Sequence, residues 1–212
     1  MKREELLARY ARQRREIEAR LAHFEAVGRK GGRRLFEELC FCLLTPQSKA
    51  RSCDAAIHEL KEKKLLLDGD AAAIARVLST KTRFHNNKAG YLVEAREKFE
   101  EDGFALLSHA TFSGSERHAR GYFLKNVKGL GLKEASHYLR NVGRGKSLAI
   151  LDRHIMKNLV ECGAVKKLPK TLTGKRYLQM EKEMEKFCAR AGIPMQHLDL
   201  LFWSEETGEI FK

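Results

Sequence analysis

Two short blocks of this sequence carry side chains whose types and spacing could do covalent chemistry. The first is the glycine turn Gly129-Leu-Gly131, followed at once by Leu-Lys133, and the second begins at Asp152, 19 residues after that lysine. Glycines allow backbone N–H groups to approach a phosphate closely, and a helix that begins there adds the positive end of its dipole. A lysine amine is a nucleophile, and a carboxylate can stabilise a developing positive charge. Together the blocks predict covalent chemistry on the backbone of a nucleic acid.

Both reactive groups are predicted to lie at the starts of helices. Lys133 falls in the first turn of the helix after the glycine turn, where the helix dipole disfavours a cation and so favours a neutral, nucleophilic amine. Asp152 is placed to cap the start of a second helix. Each residue also has an ordinary interpretation, because most lysines are solvated, aspartate is a common helix cap and glycines often end helices.

The balance of charged residues favours a polyanionic partner. The 212-residue chain has 41 Lys and Arg against 28 Asp and Glu, a formal net charge of +13, which is typical of proteins that bind nucleic acid. A highly charged surface without a ligand is the other interpretation. The five cysteines form no CxxC pair and the eight histidines are scattered, so neither a metal site nor an iron–sulfur cluster is predicted.

The N-terminal part of the chain and its longest apolar run bear on the compartment. The first 25 residues are charged throughout, and the run from Leu35 to Leu44 is short and contains two glutamates. Neither a signal peptide nor a membrane span is predicted, and no membrane partner is expected. We expect a cytoplasmic protein that associates with the nucleoid when it acts on DNA.

Apolar residues recur at helical spacing along almost the whole chain, which predicts an all-α fold. Ser48 is predicted to cap the third helix. The predicted helices cover residues 4–27, 34–44, 49–63, 69–79, 86–101, 115–125, 132–142, 152–162, 171–191 and 195–204.

The glycine-containing loop at 141–147 is predicted to be a crossing between two helical lobes. Residues 33–145 then form a central domain that carries the helix–hairpin–helix, and residues 1–32 together with 146–212 form a second domain from both ends of the chain. This arrangement puts an active-site cleft between the lobes, with Lys133 on one wall and Asp152 on the other.

Four blocks, in order along the chain, resemble those of the helix–hairpin–helix-Gly/Pro-Asp DNA glycosylases. They are Leu43-Leu-Thr-Pro-Gln47-Ser, Phe84-His-Asn-Asn-Lys-Ala89, Gly129-Leu-Gly-Leu-Lys133 and Leu151-Asp152-Arg-His154-Ile155. Within that superfamily, the short chain without an iron–sulfur cluster, the core Gly129–Gly143 and the tail Trp203–Lys212 resemble the type-2 8-oxoguanine DNA glycosylases of archaea and some bacteria. Many relatives have proline where this chain has Lys128.

The resemblance implies a base-excision reaction on double-stranded DNA that contains 8-oxoguanine. The damaged nucleotide is flipped out of the duplex, and Lys133 attacks C1′ of its sugar and expels the base. The resulting imine allows strand cleavage by β-elimination, while Asp152 stabilises the developing charge and assists proton movement. The resemblance further implies no metal or organic cofactor, no obligatory protein partner and a monomeric enzyme.

The resemblance also implies roles for residues beyond the reacting pair. These are Gly129, Gly131 and His154 for the DNA backbone, Gln47 and Phe84 for the gap and the minor-groove wedge, and Trp203 and Lys212 for base recognition. The lesion differs from guanine at N7–H and the 8-oxo group, so the pocket has to offer an acceptor to N7–H. Backbone carbonyls and the terminal carboxylate of Lys212 are the candidate acceptors, and Trp203 is the candidate stacking wall.

Two other functions and several structural roles stay open at this point. An endonuclease III-like enzyme would act on oxidised pyrimidines, and a non-catalytic helix–hairpin–helix protein would bind DNA without needing Lys133 or Asp152. Core packing is the alternative for Phe84 and Trp203, and a frayed chain end is the alternative for Lys212. His154 could be a core or capping histidine.

Overall fold

The computed structural model of the chain describes residues 3–212, which form twelve helices and no strand, so the all-α prediction is confirmed. Within this range, no helix combines the length and the apolar composition that a membrane crossing requires. The helices are α1 (Arg3–Gly28), α2 (Gly32–Leu44), α3 (Ala50–Glu62), α4 (Leu65–Asp68), α5 (Ala71–Leu78), α6 (His85–Glu100), α7 (Ala105–Phe112), α8 (Glu116–Asn126), α9 (Leu132–Asn141), α10 (Arg153–Glu161), α11 (Gly174–Ala191) and α12 (Met195–Thr207).

Two hydrophobic cores organise these helices. The first lobe, residues 27–148, packs around α2, in which every residue from Leu35 to Leu44 is buried. The second lobe, residues 6–24 and 149–210, combines α1 with α10, α11 and α12. We propose that the domains follow this partition, with residues 33–145 in one and both ends of the chain in the other. Residues 1 and 2 of the predicted second domain lie outside the described residues.

Two buried ion pairs join the lobes. Arg120 on α8 donates to both carboxylate oxygens of Glu181 on α11, at 2.5 and 2.8 Å, and Arg140 on α9 donates to Asp199 on α12 at 2.7 Å. All four residues are at least nine-tenths buried. Breaking a buried pair leaves an uncompensated charge and typically costs about 3–5 kcal/mol. The pairs therefore hold the relative position of the lobes, and with it any site formed between them.

The structure corrects three details of the helix predictions. Ser48 does not cap α3, because that helix begins after Lys49 without a side-chain cap and the Ser48 hydroxyl accepts from the Arg83 N–H at 3.0 Å. Helices α4 and α7 were not predicted, since α4 is barely one turn long and the eight residues of α7, unlike those of α5, show no clear helical alternation of apolar and polar side chains. Helix α11 begins at Gly174 rather than 171, after Thr173 as its cap.

Candidate active site

A cavity of about 770 Å³ opens between the two lobes. This volume falls in the range of about 300–1,000 Å³ that is usual for small-molecule sites. First-lobe residues in its wall include Gln47, Lys133, His137 and Arg140, and second-lobe residues include Asp152, His154, Asp199 and Trp203, with Lys212 beside them. Six of the nine residues singled out from the sequence line this one cavity: Gln47, Lys133, Asp152, His154, Trp203 and Lys212.

Lys133 is the second residue of α9, directly after the hairpin that joins α8 to α9. Its side chain is 24% exposed and lines the cavity, and its ion-pair partner is Glu134, 3.5 Å from the amine. The amine therefore lies at the cavity wall on a residue that is fixed in a helix. A lysine so placed can reach a ligand in the cavity.

Asp152 is the N-cap of α10, as its position in the sequence predicted. Its Oδ1 accepts the backbone N–H groups of His154 and Ile155, both at 2.8 Å. Within residues 3–212 its Oδ2 accepts no hydrogen bond. One carboxylate thus performs two tasks: one oxygen orders the helix start, and the charge of the group remains available to the cavity that it lines.

The two hairpin glycines lie outside the cavity wall, and the structure gives them different environments. Gly129 has φ +90°, and a Cβ on it would lie 2.4 Å from the ring of Tyr91 on α6. Gly131 has φ −95°, which any residue adopts, and its N–H donates to the carboxylate of Glu134 at 3.3 Å. Both glycines are exposed, and phosphate binding by them stays a prediction.

A Gly129→Ala substitution is expected to destabilise the protein and weaken DNA binding. Alanine at this position has an unfavourable positive φ and also overlaps Tyr91, so we expect a loss of about 1–3 kcal/mol beyond the φ cost itself. Gly163→Ala is the matched control, because Gly163 has φ +74° and open space around its Cβ position. Urea unfolding and binding to a lesion duplex measure the two effects. Equal losses in the two variants would contradict the proposed contact with Tyr91.

Gln47 and Phe84 are both held in the left-handed region, at φ +52° and φ +58°. Such conformations are unfavourable for residues with a side chain and cluster at functional sites. Gln47 lines the cavity, whereas Phe84 lies outside its wall, with 52% of its surface exposed and the Arg83 guanidinium over its ring at 5.5 Å. Core packing is therefore wrong for Phe84, and its insertion into DNA stays a prediction.

Lys88 is a structural residue of the site that the sequence analysis did not single out. Its amine is buried and donates to the carbonyls of Leu44 and Pro46 and to the Ser48 hydroxyl, at 2.7–2.9 Å. Burial lowers the pKa of this lysine. The three bonds tie the loop that carries Gln47 to the start of α6, which Phe84 precedes. Lys88 lies four residues after Phe84, within the block from Phe84 to Ala89 that resembles the glycosylase family, and this position could have identified it.

Trp203 and His154 pack edge to face in the cavity wall, with ring centroids 5.7 Å apart. The imidazole of His154 contacts Glu206 at 3.1 Å, and its backbone N–H bonds to Asp152. Both rings are partly exposed rather than core residues. The Trp203 ring is therefore available for stacking, while roles of these residues toward a base or a phosphate stay predictions.

Lys212 is ordered against the first lobe rather than frayed. Its amine contacts Asp54 at 2.8 Å and Glu38 at 3.2 Å, and it lies 4.3 Å from the ring centroid of Phe41. Glu209 is paired with Arg51, whose guanidinium also lies over the ring of Phe211. The segment after α12 thus crosses from the second lobe to the first and forms part of the cavity wall.

Three buried ionisable residues of the wall escaped the sequence analysis: His137, Arg140 and Asp199. His137 follows Lys133 by one helical turn, and burial together with nearby cations lowers its pKa well below the usual value. Asp199 precedes Trp203 by one turn, and burial raises its pKa to about 6 despite the attraction of Arg140. The i, i+4 spacing from residues already chosen was the signal that could have found His137 and Asp199.

Metal-ligating side chains do not converge in the described part of the chain. Within residues 3–212, no group of three or more His, Cys, Asp or Glu side chains is arranged to hold a metal ion. All five cysteines are free thiols and four of them are buried.

Comparison with known proteins gives one consistent family. A family model described as 8-oxoguanine DNA glycosylase matches residues 17–193. A protein of Fusobacterium nucleatum named 8-oxoguanine DNA glycosylase/AP lyase is 45% identical over 196 residues, which cover 91% of this chain and 89% of that protein. A protein of Korarchaeum cryptofilum with the same name is 36% identical over 202 residues, 95% of this chain and 93% of that one.

Solved structures agree with the sequence comparisons. The crystal structure of the Methanocaldococcus jannaschii 8-oxoguanine glycosylase/lyase in complex with a 15mer DNA containing 8-oxoguanine has a TM-score of 0.86 at 29% identity, covering 98% of this chain and all of that one. The 8-oxoguanine DNA glycosylase of Thermotoga maritima has a TM-score of 0.85 at 31% identity, covering the whole of both chains.

Proposed function

The chain belongs to the 8-oxoguanine DNA glycosylase family, and from this premise we propose that it removes 8-oxoguanine from double-stranded DNA and then cuts the strand as an AP lyase. The observation that carries the proposal is the placement of Lys133 and Asp152 in the wall of one cavity, at the starts of two helices from different lobes. The formal net charge of +13 fits a DNA partner. The family assignment made from the four sequence blocks together with the core Gly129–Gly143 and the tail Trp203–Lys212 is confirmed.

The reaction proceeds on a nucleotide that has left the base stack and entered the cavity. The unprotonated amine of Lys133 attacks C1′, the glycosidic bond breaks, and its electron pair leaves with the base. The attacking nitrogen loses one proton and the departing base takes up one, so the step is balanced. Asp152 offsets the positive charge that develops on the sugar. Because its Oδ1 is held by two backbone N–H groups, this carboxylate is pre-organised and needs no rearrangement during the reaction.

Strand cleavage follows from the covalent intermediate. The sugar ring opens to give an imine between Nζ of Lys133 and C1′, which acidifies the protons on C2′. Loss of one of these protons forms a double bond and expels the 3′-phosphate, and hydrolysis then releases the lysine. We propose that this chemistry needs only one chain, because both lobes of a single chain supply the cavity wall, and that the enzyme acts as a monomer without a protein partner.

Contacts outside the reacting pair complete the proposal. Gln47 is at the cavity and Phe84 is exposed beside it, so both can enter the space that the flipped nucleotide leaves. Trp203 stacks on the base, the backbone of Lys212 reads N7–H, and Gly129, Gly131 and His154 contact backbone phosphates.

Borohydride trapping tests the function. The wild-type protein is incubated with duplexes that contain 8-oxoguanine, thymine glycol, an abasic site or no lesion, and borohydride is added to reduce any imine. We expect a covalent adduct with 8-oxoguanine and with the abasic site, and none with undamaged DNA. An adduct with thymine glycol but not with 8-oxoguanine would indicate an endonuclease III-like enzyme. Binding without any adduct would indicate a non-catalytic DNA-binding protein.

A further inference from the structure

A buried lysine amine, that of Lys88, contacts the loop that carries Gln47 and takes no part in the proposed chemistry. The residue is 3% exposed and lies outside the cavity wall. Its amine donates to two carbonyl groups and one hydroxyl, at 2.7–2.9 Å, and these acceptors belong to Leu44, Pro46 and Ser48. An ammonium group has three donors, so each of them has a partner. One short loop thus supplies every acceptor that this buried cation needs.

The Ser48 hydroxyl forms a second link between the same parts of the chain. Its oxygen accepts from the Lys88 amine at 2.9 Å and from the backbone N–H of Arg83 at 3.0 Å. A hydroxyl oxygen has two lone pairs, so it can accept both bonds. Residues 44–48 and 83–88 are distant in the sequence, and these bonds hold them together. The hydrogen bonds of Lys88 and Ser48 between the two segments are called the clasp below.

Each of the two joined segments holds one residue in the left-handed conformation. Gln47, at φ +52°, stands between Pro46 and Ser48, and Phe84, at φ +58°, directly follows Arg83. Such conformations persist where the surrounding structure fixes them. The clasp bonds to the residues on both sides of Gln47 and to the residue before Phe84. It therefore fixes the backbone from which these two exposed side chains extend.

We propose that Lys88 and Ser48 are positioning residues for base flipping, because they hold Gln47 and Phe84 at a set separation so that both side chains enter the duplex together. The inference rests on the proposed function, in which these two residues fill the space left by the flipped nucleotide. Two independent flexible loops would each lose conformational freedom on insertion, whereas clasped loops have already lost it on folding. The clasp then acts on the flipping step and not on the reaction at C1′.

Substrates that differ in the cost of flipping test the proposal in a Ser48→Ala protein. This variant loses the bond to Arg83 and one of the three acceptors of Lys88. Single-turnover base release is measured with 8-oxoguanine opposite cytosine and opposite a tetrahydrofuran abasic analogue, because an unpaired base costs less to flip. We expect release from the paired duplex to fall by about 5- to 30-fold, the effect of losing one or two hydrogen bonds. The loss on the unpaired lesion and in lyase activity on an abasic site should be much smaller.

A double-mutant cycle tests whether the clasp acts through the two inserted side chains. The background is a protein with Gln47→Ala and Phe84→Ala, in which neither side chain can fill the duplex. We expect Ser48→Ala to have little further effect on paired release in this background, since the residues that it positions are absent. An equal loss from Ser48→Ala in both backgrounds would show that Ser48 acts elsewhere, and it would overturn the inference.

Thr111→Val is the matched control, because it removes a buried hydroxyl of the same lobe that bonds to the Tyr138 hydroxyl at 2.8 Å, outside the cavity wall. It is expected to lower stability in urea and to leave the ratios between substrates unchanged. A uniform loss on all substrates in Ser48→Ala, as in this control, would assign the clasp a purely structural role and overturn the inference.

A Lys88→Met protein removes all three bonds of the amine. We expect it to lose more paired release than Ser48→Ala while it stays folded, and Ser48→Ala alone decides the question where Lys88→Met unfolds. Equal rates for wild type, Ser48→Ala and folded Lys88→Met on the paired lesion would also overturn the inference. Failure of the wild type on both lesion and abasic DNA would instead refute the proposed function.

Discussion

A Lys133→Gln protein is expected to bind a duplex with 8-oxoguanine but to release no base and form no borohydride adduct. Glutamine keeps the length and hydrogen-bonding character of the side chain, but its amide is not nucleophilic at C1′. Removing a catalytic nucleophile lowers turnover by about 10³-fold or more. Since no other lysine amine shares the position at the start of α9, we expect base release and strand cleavage to be lost together.

The control for this experiment is Lys182→Gln, which makes the same change at an exposed lysine of α11 outside the cavity. It should form the adduct at the wild-type rate. Circular dichroism and thermal unfolding establish that both variants are folded, and binding to the lesion duplex is measured at one fixed salt concentration. Strand cutting or adduct formation by Lys133→Gln would show that another amine is the nucleophile.

An Asp152→Asn protein is expected to fold normally and to release 8-oxoguanine about 10²- to 10³-fold more slowly, the cost of losing one pre-organised electrostatic group. Asparagine caps helices about as well as aspartate, and its oxygen can still accept from the N–H groups of His154 and Ile155. The substitution therefore removes the negative charge and retains the cap. Single-turnover base release and the free energy of unfolding separate these two properties.

Asp70→Asn is the matched control for Asp152→Asn, because Asp70 caps α5 through a bond from the Ala73 N–H at 2.7 Å and lies outside the cavity wall. We expect both variants to keep wild-type stability and only Asp152→Asn to lose activity. An Asp152→Ala protein should lose activity and, with its cap, stability as well. Near-normal base release by Asp152→Asn would show that Asp152 acts only as a helix cap.

Lys133 and Asp152 could be predicted from the sequence because the features that mark them lie within a few residues. Glycines before Lys133 and a capping aspartate at 152 are set by backbone conformation and hydrogen bonds within a few residues. The helical period of apolar residues predicted most helices in the same way, and it missed α4, which is barely one turn long, and α7, whose apolar residues show no clear helical period. Ser48 has the residue type and the position of a helix cap, but its hydroxyl instead accepts a hydrogen bond from the backbone N–H of Arg83, which is distant in the sequence.

The amino-acid sequence by itself determined the all-α fold class, the family, and the placement of Lys133 and Asp152 at helix starts. Only the tertiary structure decided that Asp199 is a buried carboxylate with one open oxygen, that Lys88 ties the loop carrying Gln47 to the start of α6, and that the segment ending at Lys212 packs on Glu38. The last of these contacts joins residues 174 positions apart. Burial and hydrogen-bond partners depend on how distant helices pack, and a pattern confined to neighbouring residues carries no information about that packing.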